Sequence, residues 1–104
     1  MSALGKFKIE LPGTNFSSTF IIDEIEHSFQ GSFKGVSVPP CNGVVTLTFA
    51  KPEDLTSTRD FNSVFDKVAV TLNVDNGVQI IGVIDVPIPT PIKASGSGRW
   101  AVTR

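Results

Sequence analysis

His27 and Cys41 are the side chains best suited to proton transfer or nucleophilic attack, and the chain has one of each type. A histidine next to a cysteine can activate the thiol as a nucleophile. His27, however, lies between Ile25 and Phe29 on the apolar side of an alternating stretch, and Cys41 follows two prolines in a loop. Their spacing matches no catalytic signature. We therefore predict a structural histidine, a buried or incidental thiol and no catalytic residue.

Acidic and glycine-rich groups provide two further kinds of possible site. Asp23, Glu24 and Glu26 are close in sequence, but Glu24 and Glu26 share the polar side of a strand, which indicates solvent or a basic partner. One histidine and one cysteine are too few for a zinc site. Residues 94–98 lack the Lys-Ser/Thr ending of a phosphate-binding loop. We expect no metal and no cofactor.

The size and composition of the chain are typical of one small folded domain. It has 104 residues, of which 40% are hydrophobic and 18% charged, and its net charge is −1. This charge argues against binding nucleic acid through phosphates. The N-terminus has no apolar signal core, and no stretch reaches the roughly 20 apolar residues of a membrane helix. We therefore expect a cytoplasmic protein that binds neither nucleic acid nor a membrane.

Alternating side chains predict strands in most of residues 1–93, which we interpret as a single β domain. Residues 5–11 alternate between polar and apolar side chains, and residues 44–49 form a strand with Val45, Leu47 and Phe49 on one face and Val44, Thr46 and Thr48 on the other. Within residues 19–38 the apolar side changes at Asp23-Glu24 and again at Gly35, so we expect a bend or bulge at both points. This stretch is either one bent strand or a hairpin, with Gly31 at a turn or a bulge. His27, Gly31 and Gly35 are thus predicted structural residues.

Residues 58–66 are predicted to form the one short helix of the domain. Phe61, Val64, Phe65 and Val68 recur at helical spacing. A loop is the alternative, because Thr, Asn and Ser are weak helix formers.

A hairpin is predicted to turn on Asn76 and Gly77, which we take as structural residues. A two-residue turn at this point puts Ile81 on one apolar face and puts Ile80 and Ile84 on the opposite face. The returning strand is then apolar on both sides. We therefore predict that Ile80 and Ile84 contact a partner.

Residues 94–104 are predicted to form a flexible joint followed by a C-terminal strand or arm. Prolines at positions 87, 89 and 91 indicate an extended edge segment, and residues 94–98 have the composition of a flexible linker. Trp100 and Val102 lie on one side of the arm and join the predicted interface. Arms of this kind connect neighbouring subunits by strand addition.

Part of the central stretch, within residues 20–38, has the pattern I-x-x-I-x-H-x-x-x-G-x-F, which falls on Ile22, Ile25, His27, Gly31 and Phe33. In this pattern the stretch resembles strand pairs of some phage-tail and contractile-injection hub proteins. Lys34-Gly35 stands where a threonine often follows the aromatic residue. The resemblance covers about a fifth of the chain. It implies an assembly role, as part of a virion or injection particle, and transfers no site residue.

Together these patterns predict an all-β domain with one short helix, arranged as a small barrel or two-layer sandwich of about six to eight strands. The predicted function is that of a non-catalytic structural or assembly module, which forms homo-oligomers or docks in a larger complex. The alternative function is that of a small lipocalin-like barrel that binds an apolar small molecule.

Overall fold

The computed structural model describes residues 1–103, which fold into a small all-β barrel. Five strands close an antiparallel barrel in the order β1-β2-β3-β6-β4, and β5 runs beside β6 as an additional strand. The strands are β1 (Ser2–Ile9), β2 (Asn15–Ile22), β3 (Ile25–Phe33), β4 (Cys41–Thr48), β5 (Thr58–Val74) and β6 (Gln79–Thr103). The predicted all-β class is confirmed, as a barrel.

The long strand β6 closes the barrel because β4 and β3 pair with successive parts of the same edge of β6. Its first residues pair with β4 as far as Ile84, and its last residues pair with β3 from Gly96 onward. Between these points β6 pairs only with β5, for example at Ile88. Prolines 87, 89 and 91 lie in this interval. Proline has no backbone N–H group to donate. At these three positions that group would point to the unpaired edge of β6, so no hydrogen bond of the sheet is lost.

Within residues 19–38 the apolar residues change from one side of the strand to the other at two points. Both points coincide with residues of positive φ. Asp23 and Glu24 have φ of 50° and 66° and form a two-residue turn that joins β2 to β3. Gly35, with φ of 70°, follows β3. The stretch is therefore a hairpin, and its turn lies at Asp23-Glu24. Gly31 lies inside β3, where its lack of a side chain admits the ring of Phe16.

The helix predicted at residues 58–66 is wrong, because these residues form the first half of β5. Phe61, Ser63 and Phe65 are buried whereas Asn62 and Val64 are exposed, which is a period of two. The helical spacing of the apolar residues was outweighed by pairing with β6 from Thr58 to Phe65. Within residues 1–103 the helical structure is one 3₁₀ turn, Pro52–Asp54. No helix in this described part is long and apolar enough to cross a membrane.

The segment predicted as a flexible joint, residues 94–98, lies within β6. It pairs with β5 throughout, and from Gly96 onward it pairs with β3 as well. A Cβ atom at Gly96 would collide with the carbonyl oxygen of Ser32, and one at Gly98 would come within 2.6 Å of the Phe29 ring. These glycines therefore permit close packing of the barrel wall. The barrel continues through Thr103, without a separate arm.

Phenylalanine rings fill the interior of the barrel. All eight phenylalanines of the chain are buried. Phe16 lies among four of these rings, with centroid distances of 5.2 Å to Phe61, 5.4 Å to Phe33, 5.5 Å to Phe7 and 5.8 Å to Phe29. Such separations are typical of packed aromatic pairs. The excess of phenylalanine over tyrosine thus reflects a core that needs apolar area and has few groups to accept a hydroxyl.

Candidate functional site

His27 lies at one end of the barrel, beneath the segment that contains the 3₁₀ turn. It is 8% exposed, and its Nδ1 atom is buried without a hydrogen-bond partner among the described residues. It lines a pocket of about 250 Å³ together with Asp23, Glu53 and apolar side chains that include Leu55. The buried serines differ, since Ser18 Oγ donates to the carbonyl oxygen of Phe29 at 2.9 Å. His27 is therefore placed as a core histidine with an incompletely satisfied ring.

Cys41 is buried at the start of β4 and is paired with Ile9 of β1. Burial, followed by the nearby charge of Asp85, raises the pKa of the thiol to about 11. A thiol with this pKa is protonated at neutral pH and is a poor nucleophile. Cys41 and His27 line different pockets, so the structure does not bring them together as a catalytic pair.

The acidic residues noted in the sequence are dispersed. Asp23 and Glu24 form the β2–β3 turn, while Glu26 lies in β3, opposite Ile21. In residues 1–103, no three His, Cys, Asp or Glu side chains form a group that could hold a metal ion.

Most residues predicted to contact a partner lie inside the barrel. Ile80, Ile84 and Trp100 are at most 5% exposed, and only Val102 is partly open to solvent, at 43%. Trp100 packs on Phe29, with 4.7 Å between the ring centroids.

The position of Ile80 and Ile84 follows from the length of the β5–β6 turn. Val74 N–H donates to the carbonyl oxygen of Val78 at 2.8 Å, so Asp75, Asn76 and Gly77 form a three-residue loop. The predicted two-residue turn was one residue too short. A shift of one residue reverses the faces of a strand, which turns Ile80 inward and Ile81 outward.

Asn76 and Gly77, the predicted structural residues of this turn, are the second and third residues of the loop. Gly77 has φ of 87°, with open space around it, as the last position of the loop requires. The Asn76 side-chain nitrogen donates to the carbonyl oxygen of Asp54 at 2.8 Å. The tip of the β5–β6 hairpin is thereby attached to the segment that precedes β5.

Because the three-residue loop turns Ile81 outward, Ile81 contributes to an apolar patch on the outside of the barrel, which we call the outer face. It crosses four neighbouring strands, from β1 through β4 and β6 to β5. Leu4 is 74% exposed, Val44 61% and Val83 57%, and Val44 and Val83 are directly paired. The outer face comprises Leu4, Val44, Thr46, Ala69, Ile81 and Val83. The aliphatic residues of β4 and β6 that form this face are visible in the sequence. The predicted register was incorrect, however, and it assigned Ile80 and Ile84 instead of Ile81 to the face that contacts a partner.

A groove of about 560 Å³ runs along one end of the outer face. Lys6 and Lys8 of β1 line one side, and Asp85 of β6 lines the other. The Asp85 carboxylate accepts a hydrogen bond of 2.8 Å from the backbone N–H of Asn42, just beyond the last paired residues of β4 and β6. The groove is thus apolar at its centre, cationic on one flank and anionic on the other.

No protein-family model, curated protein or solved structure matches this chain. The comparisons therefore assign neither a family nor a function, and they leave the resemblance to tail and injection hub proteins as a hypothesis.

Proposed function

We propose that the protein is a non-catalytic structural module that self-associates and serves as a subunit of a larger assembly. The observation that supports this proposal is the outer face, where exposed aliphatic side chains lie next to one another on neighbouring strands. Contiguous apolar patches of this kind on folded domains mark sites of interaction. A particle of the phage-tail or injection type is the class of assembly that the sequence resemblance suggests.

Strand propensity alone does not account for these exposed side chains. Valine and isoleucine are favoured in strands wherever they point. The outward positions of β2 and β3, however, include Ser17, Thr19, Ser28 and Gln30. The outward positions of β2 and β3 are polar apart from Ile21, whereas the outward aliphatic residues Leu4, Val44, Ile81 and Val83 are concentrated on β1, β4 and β6. This asymmetry favours association through the apolar wall.

The ring-filled interior favours assembly over internal binding of an apolar ligand. Small barrels hold a ligand only where side chains leave room. Here Phe16 and the rings around it occupy the interior, with the centroid separations of packed aromatic pairs. An apolar small molecule would instead have to bind in the external groove.

Light scattering coupled to size-exclusion chromatography tests self-association directly. We expect the mass to rise above that of one chain as concentration increases, and the rise to disappear in the double variant Val44→Lys/Val83→Lys. Val64→Lys is the matched control, because Val64 is an exposed valine of β5 outside the outer face. A wild-type chain that stays monomeric at about 1 mM, where an association of about 4 kcal/mol is half complete, would overturn the proposal.

An apolar fluorescent dye distinguishes the alternative function. A monomer that enhances the dye's emission and releases it to lipid would support binding of an apolar molecule. An oligomer without such displacement would support assembly.

A further inference from the structure

We infer that the outer face pairs with the same face of a second copy of this chain, about a two-fold axis that runs along β4. This inference rests on the proposed self-association and adds its geometry. The inference is based on the order of outward side chains across β1, β4 and β6. These side chains lie side by side in sets of three, one from each strand, which we call rungs. A two-fold axis along β4 exchanges β1 with β6, so each flank of the face meets the opposite flank of the other copy.

The first rung is charged and is complementary to itself under this operation. Lys8 pairs with Asn42 across β1 and β4, and Asn42 lies beside Asp85, which accepts its N–H. All three residues are exposed. The two-fold operation places Lys8 opposite Asp85 of the second copy, and it does so twice. If the first rungs of the two copies faced each other without this exchange, Lys8 would lie opposite Lys8 and Asp85 opposite Asp85. Such like-charge contacts destabilise an interface.

The next two rungs supply the apolar contact. The second contains Lys6, Val44 and Val83, so Val44 meets its own copy on the axis while the Lys6 methylene stem covers Val83. The third rung runs from Leu4 through β4 to Ile81, and these two aliphatic side chains meet across the interface. In this arrangement the charged rung and the two apolar rungs of one copy are complementary to those of the other at the same time. A partner surface with charges of only one sign could not complement both Lys8 and Asp85.

An existing surface contact does not prevent this pairing. Lys8 Nζ lies 2.8 Å from Glu10 Oε1, and both side chains are largely exposed. Exposed pairs of this type contribute little to stability. Lys8 can therefore turn toward Asp85 of the second copy at small cost. Since three short rungs are fewer than the 20–30 residues per side of a standard interface, we expect a weak, exchanging dimer.

Reciprocal charge reversal tests the exchange of flanks. Lys8→Glu alone and Asp85→Lys alone each create two like-charge contacts, so each variant should dimerise about tenfold or more weakly than wild type. An equimolar mixture of the two variants restores two opposite-charge contacts and should form heterodimers, measured by sedimentation velocity. A mixture that associates no better than its components overturns the two-fold arrangement. Far-ultraviolet circular dichroism checks that each variant is folded.

Crosslinking tests the position of the axis independently. Val44→Cys places a thiol next to its own copy, and a bismaleimide that spans about 10 Å, the separation of packed sheets, should join the two chains rapidly. Val64→Cys is the matched control and should stay uncrosslinked. Equal crosslinking at both positions in a chain that still oligomerises overturns the inference and leaves the proposed self-association standing. A wild-type chain that remains monomeric contradicts both.

Discussion

At the scale of single residues, Cys41 should make stability depend on pH in the alkaline range. Its folded pKa of about 11 exceeds the ordinary value of 9.0 because of burial and the Asp85 charge. The unfolded thiol therefore ionises first, so this stabilising contribution is complete below pH 9 and is lost as the pH rises toward 11.

We expect urea denaturation of the wild type to show this loss as a fall of about 2 kcal/mol in unfolding free energy between these pH values, relative to Cys41→Ala. The variant lacks the thiol and serves as the baseline for every other group that titrates. Parallel profiles for the two proteins would contradict the raised pKa.

His27 allows a second prediction, because its Nδ1 is buried without a partner. Replacing it with an apolar residue of similar size removes an unsatisfied polar atom, whose burial costs about 1–3 kcal/mol. His27→Leu should therefore be as stable as wild type or more stable. His27→Ala should lose about 2 kcal/mol, since it leaves a cavity beside Leu55. Equal damage by the two substitutions in urea denaturation would show that the imidazole nitrogens have an essential partner.

The apolar surroundings of His27 can be read from the sequence, but the inward position of Ile80 cannot. Ile25 and Phe29 flank the histidine on one side of a strand, so the apolar face is visible in the local pattern alone. Ile80 and Ile81 are both apolar, and only the length of the turn decides which of them points inward. Both a two-residue and a three-residue loop are compatible with Asp75-Asn76-Gly77, and this local ambiguity explains the incorrect assignment.

At the scale of elements, the glycines of β6 and the glycine after β3 should respond differently to substitution. A Cβ at Gly96 collides with the Ser32 carbonyl oxygen and comes within 3.1 Å of the Phe61 ring, in the closed wall of the barrel. Gly96→Ala should therefore cost about 3 kcal/mol or prevent folding. Gly35 has φ of 70° but open space around it, so Gly35→Ala should cost only about 1 kcal/mol.

Thermal and urea unfolding of the two alanine variants, compared with wild type, measure this difference. A mild effect of Gly96→Ala similar to that of Gly35→Ala would mean that the β3–β6 seam is loose, as expected for a flexible joint.

Strands with one buried face were predictable, whereas the secondary structure of residues 58–66 was not. Residues 45–49 alternate without exception, and β4 (Cys41–Thr48) covers most of them. In residues 58–66 the apolar side chains fit helical and strand spacing together, because Phe61 and Phe65 satisfy both. The choice between them is made by β6, which supplies a ladder from more than thirty residues away, as in the pair Phe61↔Gly96. Such long-range pairing leaves no local signal.

At the scale of the whole molecule, closure of the barrel depends on the last part of β6. Residues 96–103 provide the neighbour of β3, and without them the Phe29 ring loses its cover by Trp100. Truncation after Lys93 should therefore unfold or aggregate the chain rather than merely abolish assembly. Circular dichroism should show loss of the cooperative thermal transition. A truncated chain that is folded but monomeric would instead support a separate assembly arm.

The position of Trp100 gives the molecule a built-in optical probe. The chain has one tryptophan and no tyrosine, so its near-ultraviolet emission comes from this one indole. Trp100 is buried against Phe29 and Phe20 at the β3–β6 seam, and its Nε1 has no hydrogen-bond partner in the described residues. Its fluorescence should therefore be blue-shifted in the closed barrel and move to the red as this seam opens. Opening of the seam can then be timed separately from loss of the remaining strands, without any label.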